Sequence, residues 1–573
     1  MSILADVADA IGAYNRVVDE HVQRARTDPA FRKKLMRRWR AIRDSIESVA
    51  TPTGLKLPRL ALPAADDPGE IARYLYGEGL PGNFPFVNAA YSRMYQDAGE
   101  EPTRLFAGLG LAEDTNRRFH FLTKHQRSVR LSTAFDGPTL YGLDSDADGV
   151  FGKIGEGGVA IDTIEDMQRL YAGFPLDDEH FSVSMTINGP APIILAMYIA
   201  AAKRDPARLR GTIQADILKE VQAQNEIIFP LEASLRFLTD MVEWTTANMP
   251  RWYPISISGY HIAEAGATPV QQAAFTLSNG FTYIELFRQR GMDVNRFGPR
   301  LSFFLDVGLD IEYLALARVC RKLWAIGLRD VFGADERAQL FKLHTQTSGL
   351  SLITDAFKNN LTRTAIELLL AYLNATNSCH SNSADEPFTT PSEEYVRLAA
   401  HAQAILLEET GLFKQMMNLF SGSPGMKLVE RAVEEGILAE FREIDRLGGV
   451  PGAIEHRYQR SQIQAAAHRY EQQINDGTRP IIGLNRYHDP TAQSPAMRVV
   501  RTPRKQKQLQ VDRLEKFKRR HSARAAPALD ELAAVVESGG NVFAKLIETV
   551  ECCSLGQITS RLHELVGRYR PTI

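Results

Sequence analysis

The stretch "ISISGYHIAEAGAT" at residues 255–268 places three chemically active side chains directly after a short apolar run. Alternating apolar residues lead to Gly259, which is followed by Tyr260 and His261 and, three residues later, by Glu264. Histidine and glutamate are common general acids and bases, and a tyrosine hydroxyl both donates and accepts hydrogen bonds. The pattern therefore predicts a strand that ends by presenting polar side chains to a ligand.

This pattern does not predict a metal ion as the ligand. His261 and Glu264 have HxxE spacing, but no second histidine or cysteine completes a metal-binding set. The sequence also contains no GxxxxGK[ST] phosphate loop, no GxSxG turn and no HExxH motif. The chemistry therefore depends on what other elements place beside these side chains.

Short β-rich runs alternate with helix-like segments through the middle of the chain. Segments such as "PAPIILAMYIAAAKR" and "YLALARVCRKLWAIG" lie between the runs. Alternation at this spacing predicts a parallel sheet, and seven or eight units favour a (β/α)8 TIM barrel over a doubly wound sheet. The seven runs cover residues 130–136, 181–189, 210–216, 254–261, 300–306, 340–347 and 374–383, and the eighth is 157–162 or a run that the pattern does not reveal.

The carboxyl ends of the seven runs are uniformly polar. A single polar residue at such a position is more often a feature of the loop that follows. Seven together favour a converging site, because a barrel carries its active site at the carboxyl ends of its strands. The end residues are Asp136, Asn188, Gln214, His261, Asp306, Gln346 and Asn382.

The flanks of the alternating region have a different character. Residues 1–104 combine charged helix with a Pro- and Gly-rich stretch and are interpreted as an arm, and residues 105–420 as the barrel. Residues 421–573 are helical in pattern and are interpreted as a linker and docking region. The basic run at 501–524 lacks interleaved aromatic residues, so it favours a solvated or partner-facing helix over nucleic-acid binding.

The composition indicates a large globular protein of 573 residues with a net charge of −2. This length exceeds one typical core, so at least two structural units are expected. The four cysteines have no CxxC spacing, which argues against a disulfide framework or a zinc site and fits a reducing cytoplasm. The start of the sequence does not read as a signal peptide, and no window reads as a membrane span. We therefore expect a cytoplasmic protein with no membrane or nucleic-acid partner.

Several long motifs resemble one enzyme family. "SVSMTING", "GTIQADILKE", "SISGYHIAEAGAT", "RLSFF", "HTQTSG" and "HSNSADE", with "LSTAFDGPTLYGLDSD" and "GEGGVAIDTIEDM", are similar to the large-subunit core of the adenosylcobalamin-dependent acyl-CoA mutases, the methylmalonyl-CoA mutase group. The resemblance runs from about Asn83 to the end of the sequence. It implies a barrel that threads acyl-CoA along its axis and a radical rearrangement of the acyl carbon skeleton.

The resemblance also implies roles for individual residues. His261 matches a histidine that hydrogen-bonds the substrate thioester carbonyl, and Tyr260 matches the tyrosine beside it, on the radical path. The implied cofactor-binding residues are Glu264, His344, Gln346, Asn382 and Glu386. The implied substrate-binding residues, along the CoA tunnel and at its phosphates, are Tyr91, Met94, Arg104, Ser132, Ser184, Thr186, Thr212, Gln214, Arg300 and Ser302.

Two positions bear on the acyl group. Methylmalonyl-CoA mutases carry a tyrosine where this sequence has Phe106, and a carboxylate-binding arginine where it has Gln224. A dicarboxylic substrate would then bury an unpaired carboxylate, which is costly. The pair resembles the isobutyryl-CoA mutase pattern. Pivalyl-CoA to isovaleryl-CoA conversion remains an alternative, and 2-hydroxyisobutyryl-CoA is disfavoured because that subgroup carries a smaller aliphatic residue in place of Phe106.

The family binds cobalamin on a domain with the motif DxHxxG, which this sequence does not contain. The sequence therefore predicts a separate small subunit that binds cobalamin, and a hetero-oligomer. Because there is no P-loop, a GTPase chaperone is expected, if present, as a further separate partner. A hypothesis from another class is an assembly subunit without catalysis, against which the retained Tyr260, His261, Glu264 and Gln346 argue.

Overall fold

A computed structural model describes residues 3–96, 105–124, 126, 128–389, 391–489 and 501–570. The chain divides into two compact units. Unit 1 comprises Met1–Thr103, Gly259–Glu285 and Phe303–Met497, and unit 2 comprises Arg104–Ser258, Leu286–Ser302 and Arg498–Ile573. Each unit has its own parallel strands.

The described residues form strands that are short, of two to seven residues. These are β1 (Ser48–Ala50), β2 (Lys56–Pro58), β3 (Leu105–Ala107), β4 (Val129–Ala134), β5 (Phe181–Thr186), β6 (Gly211–Ile213), β7 (Trp252–Tyr253), β8 (Ile255–Ser258), β9 (Leu301–Val307), β10 (Leu343–Thr347) and β11 (Ser378–His380).

Helices account for most of the remaining regular structure. These are α1 (Ile3–Thr27), α2 (Pro29–Ser45), α3 (Pro68–Arg73), α4 (Ala112–Thr123), α5 (Gly137–Leu140), α6 (Ile164–Leu170), α7 (Ala191–Ala202), α8 (Ile217–Gln222), α9 (Leu231–Asn248), α10 (Tyr260–Glu264), α11 (Pro269–Gln289), α12 (Val294–Phe297), α13 (Leu316–Ile326), α14 (Asn360–Leu373), α15 (Glu393–Ala404), α16 (Leu412–Gln415), α17 (Pro424–Arg446), α18 (Gly449–Glu455), α19 (Tyr458–Asn475), α20 (Arg504–Ser538), α21 (Val542–Thr549) and α22 (Leu555–Val566).

Unit 2 is built on a five-stranded parallel sheet in the order β3-β4-β5-β6-β7. Along β5, Val183 and Met185 are fully buried, whereas Ser184 and Thr186 between them are half-buried. Successive strand residues point to opposite faces, so the apolar residues form one face and the hydroxyl residues the other. Helix α7 is buried over nearly its whole length, and its Tyr198 packs against Trp252 of β7 with ring centres 5.5 Å apart.

The basic helix α20 packs within unit 2. Its apolar side buries Leu514 and Phe517, and its cations pair with carboxylates of the same unit. Lys507 binds Glu156 at 2.6 Å, Arg513 binds Glu113 at 2.9 Å and Lys518 binds Asp146 at 2.8 Å. Several cations of the basic run at 501–524 therefore form ion pairs within unit 2.

Unit 1 contains the strands β10 and β11 and most of β9, and β10 lies between the other two and pairs in parallel with each. Leu343 lies beside Phe303 and His344 beside Ser378. The helices α1, α2 and α3 share a buried apolar cluster that includes Trp39. Among the described residues, no helix is sufficiently long and apolar to cross a membrane.

The parallel strands confirm the predicted α/β class, and all seven predicted runs contain strands. Residues 157–162 form no strand, and only Val159 makes an isolated parallel bridge, to Phe135. The sequence pattern missed β1, β2, β3 and β7, which are only two or three residues long. A closed barrel and the domain boundaries at 104 and 420 stay predictions.

Candidate active site

Gly259 sets the turn between β8 and α10. Its amide donates to the carbonyl of Phe304 at 2.7 Å. A Cβ atom here would lie 2.4 Å from Thr276 Oγ1 and 2.8 Å from a methyl group of Leu305, so only glycine fits. The helix begins immediately at Tyr260, which places Tyr260 and His261 in its first turn.

Three predicted site residues surround the ring of Phe304. Tyr260 stacks on it with ring centres 4.8 Å apart and an angle of 7° between the planes. His261 meets it edge-on at 5.8 Å, and His344 at 5.0 Å in a tilted arrangement. Because Phe304 is only 9% exposed, the aromatic contact fixes the orientation of both histidines and of the tyrosine.

The hydroxyl of Tyr260 belongs to a hydrogen-bonded chain of side chains. Gln346 Nε2 donates to Tyr260 Oη at 3.0 Å and to Asn382 Oδ1 at 2.7 Å. Asn382 Nδ2 donates in turn to the carbonyl of Thr347 at 2.8 Å, and the amide of Asn382 donates to Thr347 Oγ1 at 2.9 Å. Residues from α10, β10 and the loop after β11 are thus held in one network.

Glu264 is held by the loop that follows β10. Its Oε1 accepts from the amide of Gly349 at 2.7 Å and from Ser348 Oγ at 3.4 Å. A Cβ atom on residue 349 would lie 2.4 Å from Glu264 Oε2, so glycine makes this close approach possible. Burial raises the pKa of Glu264, and the amide of Gly349 opposes that effect.

Further buried acids surround this cluster. Asp306 Oδ2 accepts from the hydroxyl of Tyr313 at 2.7 Å, and the Asp306 amide donates to Gln272. Burial, and secondarily the charge of Glu264, raises the pKa of Asp306. Burial raises the pKa of Tyr260 well above its usual value, with Glu264 and Asp306 adding to the effect. Tyr260 therefore stays a neutral phenol at physiological pH.

Glu386 gives the acidic cluster a testable pH dependence. Burial raises its pKa to about 7 from 4.5, partly opposed by the amide of Ser383, which donates to Glu386 Oε1 at 2.7 Å. Between about pH 4.5 and pH 7 the folded protein keeps a proton that the unfolded chain has lost, so the free energy of unfolding falls as pH rises, by up to about 1.4 kcal/mol per pH unit for one group. We expect Glu386→Gln to reduce the loss of thermal stability between about pH 5 and 7.5.

The control for this prediction is Glu443→Gln. Glu443 is a carboxylate on α17 whose pKa is lowered by hydrogen bonds from Arg446, so it contributes no stability loss in this range. Melting temperatures of the two variants and the parent protein across the pH series decide the matter. An unchanged slope in Glu386→Gln would contradict the assignment.

In unit 2 the predicted tunnel residues form one row across the five-stranded sheet. Phe106 lies beside Ser132, Ser132 beside Ser184, Ser184 beside Thr212, and Thr212 beside Tyr253. Neighbours in register on a parallel sheet point to the same face. The row thus places an aromatic ring at each end of a run of small hydroxyl side chains, on the less buried face.

Thr186 and Gln214 extend this region towards the carboxyl ends of the strands. Thr186 ends β5 beside Ala134. Asn188 Nδ2 donates to Gln214 Oε1 at 3.0 Å, and Gln214 Nε2 donates to Ser258 Oγ at 3.3 Å. Gln214 is only 3% exposed, so its amide connects neighbouring strand ends inside the unit.

The environment of Gln224 is built on a buried ion pair. Lys219 and Glu220 are both fully buried and bind each other. Lys219 Nζ also donates to Gln224 Oε1 at 2.7 Å, and Glu220 Oε2 accepts from the amide of Glu226 at 2.9 Å. Burial, with the charge of Glu220, raises the pKa of Glu226 to about 7. The ammonium group that donates to Gln224 is thus already paired with a carboxylate.

The remaining predicted residues have mixed placements. Arg300 Nη1 donates to the carbonyl of Thr246 at 2.8 Å, near the end of α9, and Ser302 Oγ donates to the carbonyl of Ile255 at 3.2 Å. Tyr91 is 44% exposed, whereas Met94 is buried with Ala89, Ala375 and Met417. Arg104 lies outside the described residues.

Within unit 1 the structure brings together Tyr260, His261, Glu264, His344, Gln346 and Asn382.

Sequence reasoning missed several residues that support these side chains. Phe304, Gly349 and Lys219 each hold a predicted residue in place. Tyr253 completes the row on the sheet. Gly349 carried a usable signal, since a glycine directly after a strand often marks a close backbone approach. Phe304 carried none, because an aromatic residue within a strand is ordinary core composition.

Comparison with known proteins identifies the family. The family model described as methylmalonyl-CoA mutase matches residues 54–568, so the chain belongs to the methylmalonyl-CoA mutase family. The fused isobutyryl-CoA mutase of Geobacillus kaustophilus is 45% identical over 551 residues, which cover 91% of this chain and 50% of that protein.

More distant relatives differ in how much of their length is matched. The 2-hydroxyisobutanoyl-CoA mutase large subunit of Aquincola tertiaricarbonis is 36% identical over 86% of this chain and 88% of its own length. The methylmalonyl-CoA mutase of Escherichia coli is 36% identical over 86% of this chain and 69% of its own length. The chain spans about half the length of the fused isobutyryl-CoA mutases that it matches.

Proposed function

We propose that the chain is the large subunit of an adenosylcobalamin-dependent acyl-CoA mutase that interconverts isobutyryl-CoA and n-butyryl-CoA. The observation that carries the proposal is the network of Tyr260, Gln346 and Asn382 beside His261, which joins the residues that the family resemblance predicts for the reaction. The proposal keeps the (β/α)8 barrel as the fold, and its cytoplasmic location is supported by four free, buried cysteines.

The residues of unit 1 fit the adenosyl end of the cofactor. Glu264 and Glu386 supply carboxyl oxygens, and Gln346 and Asn382 supply amides, a donor and acceptor set that suits ribose hydroxyls. The missing side chain at Gly349 leaves room for the carboxylate of Glu264. When bound, adenosylcobalamin supplies a cobalt–carbon bond that breaks homolytically and starts hydrogen abstraction from substrate.

The chain's own residues would position the substrate and stabilise the change in its charge. His261, held edge-on against Phe304, would donate a hydrogen bond to the thioester oxygen, which gains electron density as the acyl fragment migrates. Tyr260 stays protonated and stacked on the same ring, so it would bound the reacting space without ionising. Burial of the surrounding groups would exclude water and stray hydrogen donors.

The acyl group is assigned from Phe106 and Gln224. Phe106 stands at the end of the row of hydroxyl residues and offers an apolar ring, which suits a branched hydrocarbon. Gln224 is neutral, and Lys219 beside it is already paired with Glu220. Pivalyl-CoA differs by one methyl group, a difference of about 1–3 kcal/mol in a pocket, and stays the alternative.

The cobalamin domain is assigned to a second chain. The sequence contains no DxHxxG motif, and the Aquincola relative, which this chain matches over 88% of its length, is named a large subunit. In the relatives named fused isobutyryl-CoA mutase, the matched region makes up about half of a longer chain. A GTPase chaperone would be a further partner of the assembled enzyme.

The test is reconstitution. This chain, a cobalamin-binding small subunit and adenosylcobalamin are incubated with isobutyryl-CoA, and the acyl products are separated by gas chromatography after hydrolysis. We expect n-butyryl-CoA to accumulate. No rearranged product in the presence of saturating small subunit and cofactor would contradict the proposal and favour an assembly subunit without catalysis.

A further inference from the structure

The helix α2 has one apolar side and one basic side. Leu35 and Trp39 are buried against α1 and α3. The helix carries seven basic residues and one acidic residue among its 17, on a chain whose net charge is −2. Lys33, Arg37 and Arg40 follow the spacing i, i+4, i+7, which places them in one stripe opposite the buried side.

The basic side is solvent-exposed and unpaired within the described part of the chain. Lys33, Lys34, Arg37, Arg40 and Arg43 are all exposed, and none makes a side-chain hydrogen bond or ion pair with a described residue. Like charges three or four residues apart on a helix repel each other. The helix therefore retains a repulsion that its own unit does not relieve.

The basic helix of the other unit shows the contrast. The cations of α20 bind carboxylates of unit 2, as Lys507 does with Glu156 and Arg513 with Glu113. Most cations of α20 thus pair within their own unit, whereas five exposed cations of α2 have no side-chain partner among the described residues. The N-terminal helix, and not the conspicuous C-terminal one, is the candidate docking element.

We infer that the exposed side of α2 docks an acidic surface of the separate chain that carries the cobalamin domain, an inference that rests on the proposed function. Charge complementarity selects a polyanionic surface. No large apolar residue of α2 is exposed, which disfavours insertion into a membrane, and its aromatic residues Phe31 and Trp39 are not exposed for stacking on bases. The fused isobutyryl-CoA mutases are about twice as long as the region that they share with this chain, so in those proteins further protein accompanies the region. We therefore favour a protein as the partner.

Charge reversal on α2 tests this inference. The triple variant Lys33→Glu, Arg37→Glu, Arg40→Glu is compared with Arg504→Glu, Lys505→Glu, Lys516→Glu, three exposed cations of α20 that also have no side-chain partner among the described residues. Calorimetric titration with the cobalamin-loaded small subunit gives Kd without substrate. We expect Kd to rise about tenfold or more for the α2 variant and to stay within about twofold for the control.

Salt dependence, turnover and binding to other polyanions distinguish the further outcomes. The affinity of the parent protein should fall between about 50 and 200 mM NaCl, and that of the α2 variant should fall less, because part of the salt-sensitive attraction has been removed. Turnover of the variant at saturating small subunit should equal that of the parent. An unchanged Kd for the small subunit in the α2 variant overturns the inference. If the parent protein binds duplex DNA or anionic vesicles and the α2 variant loses that binding while its Kd for the small subunit is unchanged, the basic side binds that other polyanion instead. Absence of turnover with normal Kd overturns the proposed function alone.

Discussion

His261→Ala is expected to lower kcat of the reconstituted enzyme by about 10²- to 10³-fold, the usual loss when one donor to a developing oxyanion is removed. The imidazole is held edge-on to Phe304 at 5.8 Å and to Tyr260 at 5.5 Å. In His261→Ala, neither neighbour can move into the place of the imidazole without giving up its own packing, so the lost donor is not replaced. KM for isobutyryl-CoA should change much less, because most binding energy comes from the CoA portion.

The matched control is His456→Ala. His456 directly follows α18, is exposed, and makes its ring hydrogen bond to the carbonyl of Gly452 in that helix, so kcat should be unchanged. Stopped-flow or steady-state assays with both variants give the comparison. Turnover of His261→Ala close to that of the parent protein, with the fold intact by circular dichroism, would remove the assigned role.

The second large effect concerns the acyl group. We expect kcat/KM for isobutyryl-CoA to exceed that for methylmalonyl-CoA by roughly 10²- to 4 × 10³-fold, since an uncompensated buried carboxylate costs about 3–5 kcal/mol. Lys219 could have paired with such a carboxylate, but Glu220 already neutralises it and Gln224 accepts its hydrogen bond.

The comparison contains its own control, because the CoA portion is common to both substrates and cancels in the ratio. The kcat/KM for pivalyl-CoA should lie between those for the other two substrates or exceed that for isobutyryl-CoA. A value below that for isobutyryl-CoA supports isobutyryl-CoA as the substrate, and a value above it supports pivalyl-CoA. Equal kcat/KM values for methylmalonyl-CoA and isobutyryl-CoA would show that Gln224 and Lys219 do not exclude dicarboxylates.

The strands that carry the site were predictable because they obey simple local rules. Alternation and polar ends located β4, β5, β6, β8, β9, β10 and β11 within their runs. β3 was missed because three residues do not establish a period, although its Phe106 had been singled out by the family resemblance. The residues 157–162 have strand-like composition, yet they pair only through Val159.

The supporting contacts were less predictable because they join residues distant in sequence. Gln346 reaches Tyr260 across 86 positions, and Gly349 reaches Glu264 across 85. Nothing in the local pattern of α20 reveals that its cations meet Glu113 and Glu156, which lie more than 300 positions away. Local charge indicates that a helix is exposed or paired, but only the fold decides which.

The central claim is that this chain supplies the acyl-CoA site and the radical-shielding residues, while a second chain supplies cobalamin. Its most direct test is turnover of isobutyryl-CoA with adenosylcobalamin, measured with and without the small subunit. We expect n-butyryl-CoA to form only when both chains are present. Full turnover by this chain alone would contradict the account, as would no turnover with both chains present.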